Sequence, residues 1–89
     1  MEVINNKEAG HFEVTVDGKV AYEQYMQSGD TITFIHSYTP PELRGKGIAG
    51  ELAKFSLEYA KANNLKVIVK CPYITGYLEK HPEYKTLLQ

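Results

Sequence analysis

Pro40-Pro41 divides this chain into two parts with different hydrophobic periods. Before the pair, apolar residues alternate with polar ones, as in Phe12, Val14 and Val16 and again in Ile32 and Phe34. Alternation of period two marks a strand with one buried face. After the pair, Ile48, Leu52, Phe55 and Tyr59 recur at the spacing of a helix face. Neither proline can donate to a sheet ladder, so the strands end at this point. With 89 residues the chain has material for one core, and a single domain over 1–89 is expected.

Turn residues subdivide the first part. Asp17-Gly18 suits a two-residue hairpin turn, because both residue types tolerate positive φ. Ser28-Gly29-Asp30 reverses the chain again. The run Lys19 to Gln27 is expected to place Val20, Tyr22 and Met26 on one face. The run Thr31 to Thr39 is expected to place Ile32, Phe34, His36 and Tyr38 on one face. In the second part a helix begins near Lys46, and Asn63-Asn64 supplies its C-terminal cap. Val67-Ile68-Val69 reads as a short strand covered on both faces. Ile74, Tyr77, Leu78 and His81 read as a second helix, stopped by Pro82. The order is β-β-β-α-β-α, an α/β (α+β) fold in which an antiparallel meander leads into a βαβ unit. Such a unit makes its two strands parallel. Ligands in open α/β sheets sit at the carboxyl ends of such strands, here near Tyr38, Thr39, the Arg44–Ala49 turn and Cys71.

The turn Arg44-Gly45-Lys46-Gly47-Ile48-Ala49 stands at the start of the first helix. The first N–H groups of a helix lack internal partners and usually find a Ser, Thr, Asp or Asn cap. No residue from Arg44 to Gly47 has an accepting side chain. The free donors, the two basic residues and the helix dipole together suit a phosphate. Other readings compete. A strand-to-helix turn uses glycines for backbone reasons alone. Gly45, Gly47 and Gly50 also satisfy the Gly-x-Gly-x-x-Gly spacing of dinucleotide sites, but Leu65-Lys66 lies where the acidic residue of that fingerprint belongs. The Walker pattern is absent.

Charge narrows the partners. Ten basic and 11 acidic residues leave a net charge of −1, which disfavours nucleic acid and offers no polybasic membrane signal. No stretch has the length of a membrane span, and the N-terminal residues lack the pattern of a signal peptide. The single cysteine, Cys71, fits a reducing compartment. A cytoplasmic monomer is expected. No Cys/His/Asp spacing suggests a metal site.

The turn matches the Gln/Arg-x-x-Gly-x-Gly/Ala signature of the GCN5-related N-acetyltransferases, which this chain resembles. The run Tyr38 to Ala49, the segment Cys71-Pro72-Tyr73 and the segment Tyr77 to Tyr84 are similar to a miniature branch of that superfamily. The resemblance implies a truncated form of that fold and acetyl-coenzyme A as the bound cofactor. Backbone N–H groups from Gly45 to Ala49 would hold the pyrophosphate. The strand end around His36 to Thr39 would pair with the pantetheine arm, and the thioester would lie near Cys71. Cofactor contacts are thereby expected at Ser37, Tyr38, Thr39, Arg44, Gly45, Lys46, Gly47, Ile48, Ala49, Cys71, Tyr73, Tyr77 and Lys80. Larger relatives carry an extra strand and helices ahead of the meander. Only about eleven residues precede Phe12 here, so the acceptor side is expected to be open or completed by a partner.

Two mechanisms follow. An amine attacks the thioester directly, helped by a general base and a general acid. His36 is the candidate base because histidine titrates near neutrality, and Tyr77 is the candidate acid by resemblance to larger relatives. Alternatively, Cys71 takes the acetyl group first. Each residue has a plainer role open to it: a hydrogen-bonded histidine, a packed tyrosine, a buried thiol. Lys85 is a further candidate to reach a phosphate. The expected activity is acetyl-CoA-dependent N-acyl transfer to an amine, on a protein, a peptide or a small molecule. A non-catalytic acetyl-CoA sensor and a plain interaction domain are the rivals.

Overall fold

The computed structural model describes residues 1–89. Four strands, β1 (Ile4–Asn6), β2 (His11–Val16), β3 (Lys19–Ser28) and β4 (Thr31–Tyr38), form an antiparallel meander. Helix α1 (Ile48–Ala62), strand β5 (Lys66–Val69) and helix α2 (Pro72–Lys80) follow. Strand β5 pairs parallel to β4, and the five strands lie in chain order across the sheet. Short 3₁₀ segments occupy Pro41–Leu43 and Pro82–Leu87. The expected order is therefore present, with β1 added at one edge.

Local chemistry accounts for the turns. Asp17 and Gly18 both adopt positive φ, 51° and 76°, and the hairpin twist requires this. The two-residue turn fixes the register: Val14 faces Ala21 and Phe12 faces Glu23. Helix α1 ends at Asn63, whose side-chain amide donates to the Tyr59 carbonyl, and Asn64 follows at φ 55°.

Both helices pack on one face of the sheet. Phe12 stacks on Tyr25 at 4.7 Å and meets Phe55 edge-on. Ile32, Phe34 and Val67 meet Ile48, Leu52 and Leu57 of α1 and Ile74 of α2 in the same cluster. Each large apolar side chain buried there contributes about 1.5–3 kcal/mol.

Two of the three expected faces are corrected, and the third, in β3, is shared as expected but turned outward. In β3 the buried face is Ala21, Glu23 and Tyr25, so Val20, Tyr22 and Met26 point away from the helices. The hairpin register dictates this, because Phe12 and Val14 are inward. In β4 a bulge breaks the alternation: Gln24 faces His36, yet Tyr25 faces Phe34, leaving Ile35 as the extra residue. Ile32 and Phe34 are buried as expected, but His36 and Tyr38 fall on the outer face, and Ser37 takes the inner one opposite Glu23. Finally, β5 is an edge strand. Ile68 is 37% exposed, so β5 is covered on one face and not on both.

Candidate functional site

The bulge also decides where β4 and β5 part. Pairing between them runs from Thr31–Lys66 to Phe34–Val69 and stops. The Lys70 and Cys71 N–H groups then both donate to the Phe34 carbonyl, at 2.8 and 3.1 Å, as the chain turns into α2. His36–Tyr38 is left with a strand partner on the β3 side only, and the bulged Ile35 with none. The result is a cleft with the free β4 edge on one wall and the start of α2 on the other.

The Arg44–Ala49 turn lies at the open end of this cleft. Gly45 and Gly47 adopt φ of 80° and 75°, and no atom lies within 4 Å of where a Cβ would stand on either. Gly47 occupies the N-cap of α1, and no side chain caps that end. The first helical bond is from the Glu51 N–H to the Gly47 carbonyl. The six N–H groups from Gly45 to Gly50 find no acceptor in the protein. Arg44 donates its Nε to the Thr39 carbonyl at 3.2 Å, and this closes the loop between β4 and α1. Lys46 is exposed beside the same donors. Ile48 is buried and anchors the turn to the core.

Two adjoining cavities complete the groove. One, of about 250 Å3, is lined by Thr39, Arg44, the glycine turn and Tyr73. The other, of about 220 Å3, is lined by Pro72, Tyr73, Gly76, Tyr77 and Lys80. Tyr73 borders both. Tyr77 stacks on His81 at 4.1 Å, and burial, aided by Glu83 and other nearby acidic groups, pushes its hydroxyl above the ordinary tyrosine range. It stays protonated at neutral pH.

The sequence-expected residues thus fall into two groups. Thr39, Arg44, Gly45, Gly47, Ile48, Ala49, Tyr73, Tyr77 and Lys80 line the two adjoining cavities, Lys46 is exposed on the turn, and Ser37 and the buried Cys71 lie on the inner side of the sheet and line neither cavity. His36 and Tyr38 are on the other side. They cluster there with Tyr22, whose ring lies 6.2 Å from His36 and 5.9 Å from Tyr38. His36 therefore does not share a face with Cys71. Lys85 forms an ion pair with Glu79 at 3.2 Å, away from the glycine turn.

Sequence reasoning missed Glu23. Its carboxyl is 1% exposed, and its Oε1 accepts from the Cys71 thiol at 3.6 Å. Its Oε2 has no partner. Burial pushes it up to about 8, against a smaller opposing effect of the thiol bond. The signal was available: counting back from the Asp17-Gly18 turn pairs Glu23 with Phe12, on the core side.

Comparison with known proteins agrees with this geometry. Residues 11–87 match the family model described as GCN5-related N-acetyl-transferase. The protein NATD1 of Xenopus tropicalis is 35% identical over 52 residues, covering 58% of this chain and 48% of the frog protein. Human NATD1 is 38% identical over 47 residues, covering 53% of this chain and 42% of its own length. The chain thus spans less than half of these two relatives. NATD1 of Danio rerio aligns more widely, at 27% identity over 94% of this chain and 81% of the fish protein. The NMR structure of a GCN5-like protein from Staphylococcus aureus superposes with a TM-score of 0.75 at 27% identity, covering 99% of this chain and 87% of the other. The sheet that parts after Phe34 and the uncapped glycine turn beside it are where a match spanning residues 11–87 carries most meaning, and the chain belongs to the GCN5-related N-acetyltransferase family.

Proposed function

We propose that the chain transfers the acetyl group of acetyl-coenzyme A to an amine. Membership of the family supports acyl transfer in general, and family members use acetyl-CoA. The observation that carries the finer reading is the line from the six unpartnered N–H groups at Gly45–Gly50, along the free β4 edge, to Cys71. The N-terminal donors, the dipole of α1 and the Arg44 and Lys46 charges suit a pyrophosphate. Unpaired backbone at Ile35–Tyr38 suits an amide-bearing arm that adds to the sheet as a strand does. Tyr73 and Tyr77 supply flat apolar walls, and Lys80 a further cation at the far end. Tyr77, held neutral, is equipped to donate a hydrogen bond to the departing sulfur. The acceptor would approach through the cleft, from the outer face that carries Tyr22, His36 and Tyr38.

Amide-resolved NMR titration with acetyl-CoA tests the reading. Shifts concentrated at Gly45–Gly50 and Ser37–Thr39 are expected. Gly47→Asp introduces a carboxylate where the phosphates would sit, and aspartate tolerates positive φ better than most residues. That variant should stay folded and lose affinity by 100-fold or more. Unchanged affinity in Gly47→Asp, or shifts confined to other surfaces, would refute the pyrophosphate site.

A further inference from the structure

The outer face of the sheet carries no helix, and its charge is unevenly placed. Among the outward residues of β2, β3 and β4 the one formal charge is Glu13, with histidine counted as neutral. Lys66 and Lys70 lie on the same face at the β5 side, and Lys70 borders a cavity of about 420 Å3 with Met26, Thr33 and Ile35. Aromatic rings fill the space between. Tyr22 stands opposite Glu13 on one side and Tyr38 on the other, so these three residues form one row across the sheet. His11 stacks on Tyr22 at 4.7 Å, and the His36 ring lies 6.2 Å from it. Tyr38 is 42% exposed and ends β4 at the mouth of the cleft. Glu13 is two strand spacings from Tyr38, roughly 10 Å between their backbones.

The Glu13 carboxylate has an oxygen to spare. Asn6 and His11 both donate to Oε1, at 2.9 and 2.7 Å, and no protein donor reaches Oε2. Asn6 foremost, then His11, holds the carboxyl below the ordinary carboxylate range, so it is ionised at neutral pH. Its side chain is 19% exposed, and a cation paired with it is partly shielded from water. Ring faces attract cations as well. An anion would find no Lys or Arg among the outward residues of β2, β3 and β4.

We propose that this face selects a dicationic acceptor, an unbranched aliphatic polyamine whose reacting nitrogen enters the cleft beside Tyr38 while a second ammonium rests on Tyr22 and Glu13. The inference rests on the acetyl-CoA reading above. The two nitrogens then meet different surroundings. The far one stays charged against the ring face and Oε2, with the methylenes laid over Tyr22 and Tyr38. The near one reacts as the neutral amine. It attacks the thioester carbon, the carbon–sulfur bond breaks, and the nitrogen's proton goes to the coenzyme A sulfur. Lys66 and Lys70 repel the far ammonium from the β5 side, which gives the polyamine one direction across the sheet. An exposed ring contact and a partly shielded ion pair together favour the second cation about tenfold.

Coenzyme A release is followed with 1,8-diaminooctane and with nonylamine, in which a methyl replaces the far ammonium. The diamine should show at least a tenfold higher kcat/KM. The short 1,3-diaminopropane, unable to span two strands, should show no such advantage over butylamine. Glu13→Gln keeps an acceptor for Asn6 and His11 and should cut the diamine's advantage to threefold or less. Tyr22→Leu should also reduce it. Amide-resolved NMR of the free protein with 1,8-diaminooctane gives a readout independent of turnover. Shifts centred on Glu13, Tyr22 and Tyr38 that fade with added salt are expected. Preference for nonylamine, a diamine advantage that survives Glu13→Gln, or shifts confined to other surfaces would overturn the dicationic acceptor while leaving the transferase reading standing. If no amine of either kind releases coenzyme A, the transferase reading itself falls, and the acceptor role falls with it.

Discussion

The buried carboxyl of Glu23 should make this small protein lose stability as the pH rises across neutrality. Glu23 holds its proton far more tightly when folded, about 8, than in the unfolded chain, about 4.5. Between those values the folded state binds more protons, so the stabilisation is complete below the unfolded value and drains away as pH climbs to the folded one. The slope approaches 1.4 kcal/mol per pH unit, and the loss from pH 5 to pH 8 integrates to roughly 3–4 kcal/mol. This is a large share of the stability of a domain this size. Other perturbed groups titrate outside that window. Glu13 is held below the ordinary carboxylate range by Asn6 and His11, and Tyr25, Tyr77 and Tyr84 lie above the ordinary tyrosine range. Urea denaturation at pH 5 and pH 8 measures the effect. With a urea dependence of about 1–2 kcal/mol per molar, the midpoint should fall by roughly 2–3 M. Glu23→Gln cannot ionise. It should be somewhat less stable than wild type at pH 5, through its unpaired buried amide, and much flatter with pH, so that the two curves cross. A wild-type midpoint that does not move between pH 5 and pH 8 would refute the assignment of Glu23 as a desolvated carboxyl.

Other consequences follow from single contacts. Tyr84→Phe removes the hydrogen bond to Glu58 that ties the C-terminal 3₁₀ segment to α1, and should cost about 1–3 kcal/mol in urea denaturation. Phe34→Ala empties the centre of the core at the point where the cleft opens. A loss of about 3–5 kcal/mol is expected, enough to leave the chain largely unfolded by circular dichroism. Deleting Ile35 removes the extra residue and should leave strict alternation, with Phe34 and Ser37 inward and His36 and Tyr38 outward, in the register already present. Hydrogen exchange across the β2–β3 and β3–β4 pairs should stay slow, and an inward His36 in that variant would refute the bulge assignment.

Much of this architecture was legible in the residues. Asp-Gly and Ser-Gly-Asp turns, period-two alternation and the spacing of Ile48, Leu52, Phe55 and Tyr59 carry local physics that tertiary packing did not override. Strand β1 was not legible, because Ile4–Asn6 is three residues long and lacks alternation. The bulge at Ile35 left no mark either: Phe34-Ile35-His36 has ordinary strand composition, and a one-residue insertion shows only against its partner strand. That single residue moved His36 from the expected inner face to the outer one. Glu23 was hidden for a different reason. In Val20–Met26 the more hydrophobic parity was the outward one, and the inward parity contained an acid. Here the register set by the Asp17-Gly18 turn overrode the local hydrophobic pattern.

The central claim is acyl transfer from acetyl-CoA, and amine-dependent release of coenzyme A tests it most directly. The chain is given acetyl-CoA with and without a panel of primary amines, including a lysine peptide and a small polyamine, and free thiol is followed. The account predicts release that needs both an amine and the chain and that is lost in Gly47→Asp. Binding of acetyl-CoA with no amine-dependent release would contradict transfer and leave a module that only holds the cofactor.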